Sequence, residues 1–207
     1  MSSRVHNAFA QAWFASPACQ NLTWFGVPIL KNPLDLFLYQ ELLSEVHPDY
    51  IVETGAHRGG STLFFAHMTQ LLGHGHVISI DSEGAWDSQV ARHPNITCVL
   101  GNSVDPNILS HISSHIPENS SCFVILDSDH SEEHVLAELR SYSKFVLKSH
   151  YLVVEDTIIN HPCPLGGPGP WEAVDTFLGE TPGWELTENC SRLGFSLANH
   201  GFLQRTT

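Results

Sequence analysis

Asp127, Glu155 and Asp156 are three carboxylates that fall directly behind two short apolar runs, Cys122–Leu126 and Tyr151–Val154. Packed together without a cation, such groups repel and raise one another's pKa. A hard divalent ion relieves that repulsion, and oxygen ligands suit magnesium, manganese or calcium. His130 follows in the same turn, where it could take a proton from a hydroxyl that a metal has polarised. Asp129 competes with Asp127 for the metal. Asp127 is preferred because it directly follows the run, and Asp129 is expected to cap the next helix. Two further acids end apolar runs, Glu53 after Ile51-Val52 and Asp81 after Val77–Ile80. Asp81 comes about one strand-helix-strand unit after Glu53, where a carboxylate can accept hydrogen bonds from a ribose diol.

Between the first two acids lies Thr54-Gly55-Ala56-His57-Arg58-Gly59-Gly60-Ser61. Glycines let a backbone come close to a ligand, and the N–H groups of such a loop and of the helix behind it make a polar cradle. Glu53 changes the meaning of that cradle. An anion at its edge disfavours a pyrophosphate and favours a ligand with hydroxyls or a cationic group. The spacing also departs from G-x-G-x-x-G, so a dinucleotide is the weaker candidate. A different pattern overlaps His130: with Glu133 and His134 it matches H-x-x-E-H, the inverted zinc-protease motif. In a chain with 14 histidines that match is weak evidence.

The elements that must position these residues follow from periodicity. Leu34, Phe37, Leu38, Leu42 and Val46 recur at helical spacing, with Pro33 suited to the first turn and Pro48 beyond the end. Strands are expected at 50–53, 77–80, 96–100, 122–126 and 151–154, with helices at about 60–72, 106–115, 131–145 and 171–178. Later runs at 184–186, 194–197 and 201–203 suggest strands, the last two as a hairpin. Alternating strands and helices imply a doubly wound, mostly parallel α/β sheet, with the hairpin adding an antiparallel edge. In such sheets ligands bind outside the carboxyl ends of the strands, so the acids at those ends share one crevice. Residues 1–32 read as an irregular aromatic N-terminal arm or lid, and 33–207 as the domain itself.

Composition excludes several classes. The formal charge of −13 argues against nucleic acid, which needs a basic footprint. No apolar run is long enough to span a membrane, and the N-terminus carries no signal-peptide pattern, so a cytoplasmic protein is expected. Cys19, Cys98, Cys122, Cys163 and Cys190 are odd in number and form no C-x-x-C, which fits reduced thiols and no structural zinc.

Taken together, the motifs resemble a known family. They are Trp24-Phe25-Gly26 with Lys31, Asp35 and Tyr39-Gln40; Val52-Glu53-Thr54-Gly55 with Gly59-Gly60-Ser61; Ile80-Asp81; Gly101-Asn102-Ser103; Leu126-Asp127-Ser128-Asp129-His130; Val154-Glu155-Asp156; and Gly167 to Val174. Over about residues 22 to 205 the chain resembles the cephalosporin hydroxylase / rhamnosyl O-methyltransferase family. That resemblance implies a seven-stranded class I S-adenosylmethionine-dependent methyltransferase fold. It implies a magnesium-dependent O-methyltransferase acting on a sugar or other natural-product hydroxyl. Glu53, Gly55, Ala56, His57 and Ser61 would line the methionine side of S-adenosylmethionine. Asp81 and Ser82 would lie at the ribose, Ser103 near the adenine, and Asp127 would border both cofactor and metal. Asp127, Glu155 and Asp156 would bind Mg2+ or another hard divalent cation, and His130 would be the general base. The expected partner is a small hydroxyl-bearing molecule, possibly glycosylated, and a homo-oligomer is expected. Two other readings stand beside this one: a non-catalytic S-adenosylmethionine-binding module, and a zinc hydrolase built on His130, Glu133 and His134.

Overall fold

The structure is a computed structural model that describes residues 3–159, 167–188 and 192–207. Its centre is a seven-stranded sheet in the order β5-β4-β3-β6-β7-β9-β8. The strands are β3 (Tyr50–Thr54), β4 (His76–Asp81), β5 (Ile96–Leu100), β6 (Cys122–Leu126), β7 (Tyr151–Val154), β8 (Trp184–Leu186) and β9 (Phe202–Arg205). β3 to β7 run parallel, and β9 enters antiparallel between β7 and β8. The chain lays down β3, β4 and β5 in one direction and then returns to β6 on the other side of β3. The switch point therefore falls between β3 and β6, where an open α/β sheet has its crevice.

Side-chain alternation divides the core into two layers. Ile51, Phe123, Ile125 and Val153 face α3 (Pro33–Val46) and α4 (Gly60–Leu72). Val52, Val124, Leu126 and Leu152 face α6 (Pro106–His115), α7 (Glu132–Tyr142) and α8 (Pro170–Glu180). Successive strand residues point to opposite faces, so a strand covered on both sides reads as an unbroken apolar run. Asn32 starts α3 by accepting the Leu34 N–H at 3.2 Å, with Pro33 at the first position.

Three expectations about elements are corrected. The N-terminal segment is helical rather than irregular: α1 (Ser3–Ala15) and α2 (Ala18–Asn21) precede a short hairpin of β1 (Thr23–Trp24) and β2 (Val27–Pro28). Ala10 of α1 is buried with Ile158, Phe195 and Leu197. Residues 194–197 form no strand, and β9 pairs instead with β8. The Leu197 N–H goes to the Asp35 carboxylate at 2.9 Å and its carbonyl accepts from Ile158, so tertiary partners take the groups a ladder would need. In α3 the inward residues include Asp35 and Tyr39, whereas Phe37 is 56% exposed. Helical spacing ranked Phe37 inward by hydrophobicity; a buried polar network turns the helix instead.

The starts of β3 and β6 are clasped by Asp49, whose Oδ2 accepts from the Ser121 N–H (2.7 Å) and hydroxyl (2.8 Å). Those bonds hold the Asp49 carboxyl below its usual value, the Ser121 N–H contributing most. A depressed carboxyl adds stability above its unfolded-state pKa that is lost as pH falls through the folded value. The group is partly exposed, so the effect is modest: Asp49→Asn is expected to cost about 1 kcal/mol at neutral pH. Urea denaturation at pH 7 and at pH 3 checks this, with the difference from wild type shrinking at the lower pH.

Candidate active site

A cavity of about 550 Å³ opens at the carboxyl ends of β3 to β7. Gly55, Ala56, His57 and Ser61 line it from the β3–α4 loop, Asp81 and Ser82 from β4, and Gly101 to Ser103 from β5. Asp127 and His130 line it from β6, and Asp156 from β7. Parallel strands in register bring these tips level. Gly55 sits at φ +73, and a Cβ there would lie 1.9 Å from the Asp127 carbonyl oxygen, so only glycine allows the β3 and β6 tips to close up. Gly60 plays the same part between the start of α4 and Pro28, whose carbonyl oxygen a Cβ would meet at 2.1 Å.

At one end, Asp81 is wrapped by backbone. Its Oδ2 accepts from the His57 N–H at 2.8 Å, and its Oδ1 from those of Glu83 (2.8 Å) and Gly84 (3.0 Å). A carboxylate has about four acceptor positions, so one remains for a ligand hydroxyl. Next to it, Ser103 Oγ lies 3.1 Å from His134 Nε2, and His134 in turn lies 3.6 Å from the buried Glu138. The interaction of the His134 ring N–H with the Glu138 carboxylate, which accepts, raises the His134 pKa against the effect of burial.

At the other end, Asp127, His130 and Asp156 offer ligand atoms within 4.8 Å of one another. His130 Nε2 lies 3.5 Å from Asp127 Oδ1 and 3.6 Å from Asp156 Oδ2. Burial alone would lower the His130 pKa, but the two carboxylates outweigh it and push it up to about 9. Burial and then the Asp127 charge push Asp156 up to about 7. Asp156 also holds φ +54, and His57 φ +50, backbone values that non-glycine residues adopt at a cost and that cluster at functional sites.

Glu53 and Glu155 are placed differently from the rest. Neither lines the cavity, and both are buried behind it. Glu53 shares its strand face with Ile51, toward α4, where its Oε2 accepts from Thr62 at 2.6 Å. Burial raises its pKa, opposed first by the charge of Lys31. Glu155 Oε1 accepts from Tyr39 at 2.5 Å and pairs with Lys31 Nζ at 2.9 Å. Lys31 Nζ reaches Asp127 Oδ2 as well, at 2.5 Å. Burial would strip its proton, but Asp127, Glu155 and Glu53 outweigh that and hold the ammonium charged.

Lys31, Tyr39 and Asp35 were not assigned roles from sequence. Asp35 and Tyr39 stand one helical turn apart on α3, which gives them a common face, but nothing local marks that face as the one turned to β7. Asp129 does not cap α7; its Oδ1 accepts the Ser131 N–H at 2.8 Å, and Ser131 holds the capping position. The H-x-x-E-H residues do not converge. His130 turns to Asp127 and Asp156, His134 to Ser103 and Glu138, and Glu133 is exposed. Among the described residues, Asp127, His130 and Asp156 form the one cluster with metal-ligand spacing. Cys19, Cys98 and Cys122 are free thiols; Cys163, Cys190 and most of the Pro- and Gly-rich stretch 161–170, which reads from sequence as a loop, lie outside the described residues. No helix among them is long and apolar enough to cross a membrane.

Known proteins resemble this chain over nearly its whole length. The family profile Rhamnosyl O-methyltransferase/CmcI matches residues 17–206. The chain is 38% identical over 190 residues to the rhamnosyl O-methyltransferase of Mycobacterium leprae (strain TN), covering 88% of this chain and 82% of that one. It is 35% identical over 211 residues to the enzyme of the same name from Mycobacterium tuberculosis (strain ATCC 25618 / H37Rv), covering 99% and 86%. A CmcI structure with Mg and SAM superposes with a TM-score of 0.71 at 20% identity, over 95% of this chain and 84% of the other. That likeness shows the fold, a mostly parallel seven-stranded α/β sheet with an antiparallel C-terminal edge.

The Tyr39 hydroxyl is the one donor besides Lys31 that reaches Glu155 Oε1 in this network. Tyr39→Phe is expected to lower stability by about 1–3 kcal/mol, the usual cost of leaving a buried charged acceptor short of a donor. Guanidinium unfolding reads this; an unchanged midpoint would show that the bond contributes nothing.

Proposed function

The chain belongs to the Rhamnosyl O-methyltransferase/CmcI family, and from that premise we propose that it methylates a hydroxyl of a sugar or other small natural product, using S-adenosylmethionine and a divalent cation, Mg2+ by preference. The observation that carries this reading is the cavity at the switch point, polar at both ends and acidic at the end that holds Asp127, His130 and Asp156. When bound, the sulfonium donor supplies an activated methyl group, and the cation supplies the charge that lowers the acceptor hydroxyl's pKa.

The residues fit both groups. The β3–α4 loop presents backbone against a cavity wall with no room for a Cβ at Gly55. Glu53 Oε1 is buried without a hydrogen-bond partner, an acceptor in need of a donor such as an amino group. Asp81 keeps an acceptor position for a ribose hydroxyl beside Ser82, and Ser103 with His134 borders the base. Ala56, His57 and Ser61 complete the wall on the methionine side. At the acidic end, burial and then the neighbouring Asp127 charge raise the Asp156 pKa, a cost that a cation bound there would relieve. Asp127 and Asp156 are the ligands that face the cavity, and Glu155 is the third of the expected set, held behind them.

His130 is the proton acceptor in this proposal. Asp127 and Asp156 hold its ring at the cavity rim by charge. As long as both are unneutralised they keep it protonated; once their charge is met, the neutral imidazole can accept the acceptor's proton. The protein's main task is then alignment, bringing the oxygen in line with the methyl carbon and excluding water. The rhamnosyl enzymes to which the chain is similar make a deoxysugar hydroxyl the first acceptor to try. A homo-oligomer also remains part of the proposal, to be read by sedimentation.

S-adenosylhomocysteine is expected to raise the melting temperature of the wild-type protein by ligand linkage. His130→Ala is expected to keep that shift and lower turnover on a glycosylated acceptor by about 10²–10⁴-fold. Asp156→Ala should lose the cation dependence of the rate. Absence of any S-adenosylhomocysteine shift would sink the cofactor assignment, and an unchanged rate in His130→Ala would remove that residue from proton transfer.

A further inference from the structure

Three acidic side chains, Glu53, Asp127 and Glu155, surround one buried lysine. Lys31 Nζ lies 2.5 Å from Asp127 Oδ2 and 2.9 Å from Glu155 Oε1, and its side chain is only 4% exposed. It thus stands between the tips of β6 and β7, where a cation shared by Asp127 and Glu155 would sit. The contacts are direct, and each uses an oxygen that a metal would need. Asp127 Oδ1 and Asp156 Oδ2 are turned the other way, toward His130.

Lys31 cannot retreat by moving its backbone. The next residue, Asn32, caps α3, and the Pro28 carbonyl behind it is jammed against Gly60. Lys31 does line the cavity, however, so a change of rotamer along its flexible stem would be the way for the ammonium to leave the two carboxylates. A divalent ion on the same two carboxylate oxygens would repel the ammonium and weaken the hold of both, so each favours a site without the other.

We propose that Lys31 is an internal competitor of the divalent cation: it neutralises Asp127 and Glu155 in the metal-free protein, and the ion engages both carboxylates only as the ammonium swings out into the cavity. Lys31 is a positioning residue, setting how much free cation the site demands and keeping the acids from repelling each other when the ion is away. The inference rests on the cation site proposed above, but it is read without turnover.

The experiment is calorimetric titration of the full chain with Mn2+, for wild type, Lys31→Met, Lys31→Arg and the exposed control Lys148→Met. Lys31→Met is expected to bind the ion about tenfold or more tightly than wild type, because a facing positive charge is gone. Lys31→Arg should stay close to wild type, and Lys148→Met should not differ from it. Equal or weaker binding by Lys31→Met would overturn the proposal, as would equally tight binding by Lys31→Arg or Lys148→Met. A second measurement needs no variant. Acylation of Lys31 in the wild type, followed by peptide mass spectrometry, should speed up when Mn2+ is added and the ammonium is displaced. An unchanged rate at saturating Mn2+ would also overturn it. S-adenosylhomocysteine binding by the wild type is scored separately. Its loss would defeat the methyltransferase reading, whereas the Mn2+ series bears on Lys31 alone.

Discussion

One ammonium buried among carboxylates holds the site of this protein in its geometry. β6 and β7 are adjacent parallel strands, so the acids behind them, Asp127 and Glu155, are brought close whether or not their charges agree. Isolated buried carboxylates are costly, and removing one partner from such a group is costlier than never having built it. Lys31 meets both at once, and Tyr39 adds a donor to Glu155. The segment that carries Lys31 leads straight into α3, so the same contact docks that helix on β7. Asp35, one turn before Tyr39, extends the network to Leu197 and thereby fixes the segment ahead of β9. Burial, then the nearby Glu155 charge, push the Asp35 carboxyl up to about 7, the mark of an acid held where negative charge is already in surplus.

The cavity is the counterpart of that buried cluster. The acids on its wall, Asp81, Asp127 and Asp156, follow three different strands and are aimed by loop backbone. Of those on its far side, Glu155 is met by Lys31 and Tyr39, whereas Glu53 accepts from Thr62 at Oε2 and keeps Oε1 without a partner. Two layers result, a ligand-facing one lining the cavity and an inner one held mainly by protein donors. The outer layer has positive backbone φ at His57 and Asp156, and the inner one does not. Positive φ also occurs away from the site, at Phe25, His47, Asn119 and Ser149, but around the cavity it falls on residues that line it.

Much of this was legible in the residues themselves. A short apolar run followed directly by an acid is a buried parallel strand reaching its carboxyl end, and four such runs marked both the sheet and the side on which its crevice opens. The glycines of the β3–α4 loop announced a close backbone approach before any partner for it was known. Periodicity also placed α4, α6 and α8 correctly to within a residue or two. The N-terminal helices were not legible, because their aromatic residues pack against a segment some 180 positions away and show no clean period of their own. The late strand at 194–197 misled for a related reason: its apolar residues are buried, but by Ala10 and Ile158 rather than by a neighbouring strand.

What the sequence determined alone is the set of chemical groups and the edge of the sheet at which they gather, since strand period and strand ends are local properties. Which oxygen of each acid faces the ligand was decided only in three dimensions. Glu53 turns inward because its parity on β3 matches Ile51, and the rotation of α3 is set by the Asp35 and Tyr39 contacts rather than by hydrophobicity. Lys31 acquires its place from a pairing across 96 positions of chain. No local pattern encodes a contact of that range; it exists because folding brings one cation to two acids that adjacent strands hold side by side.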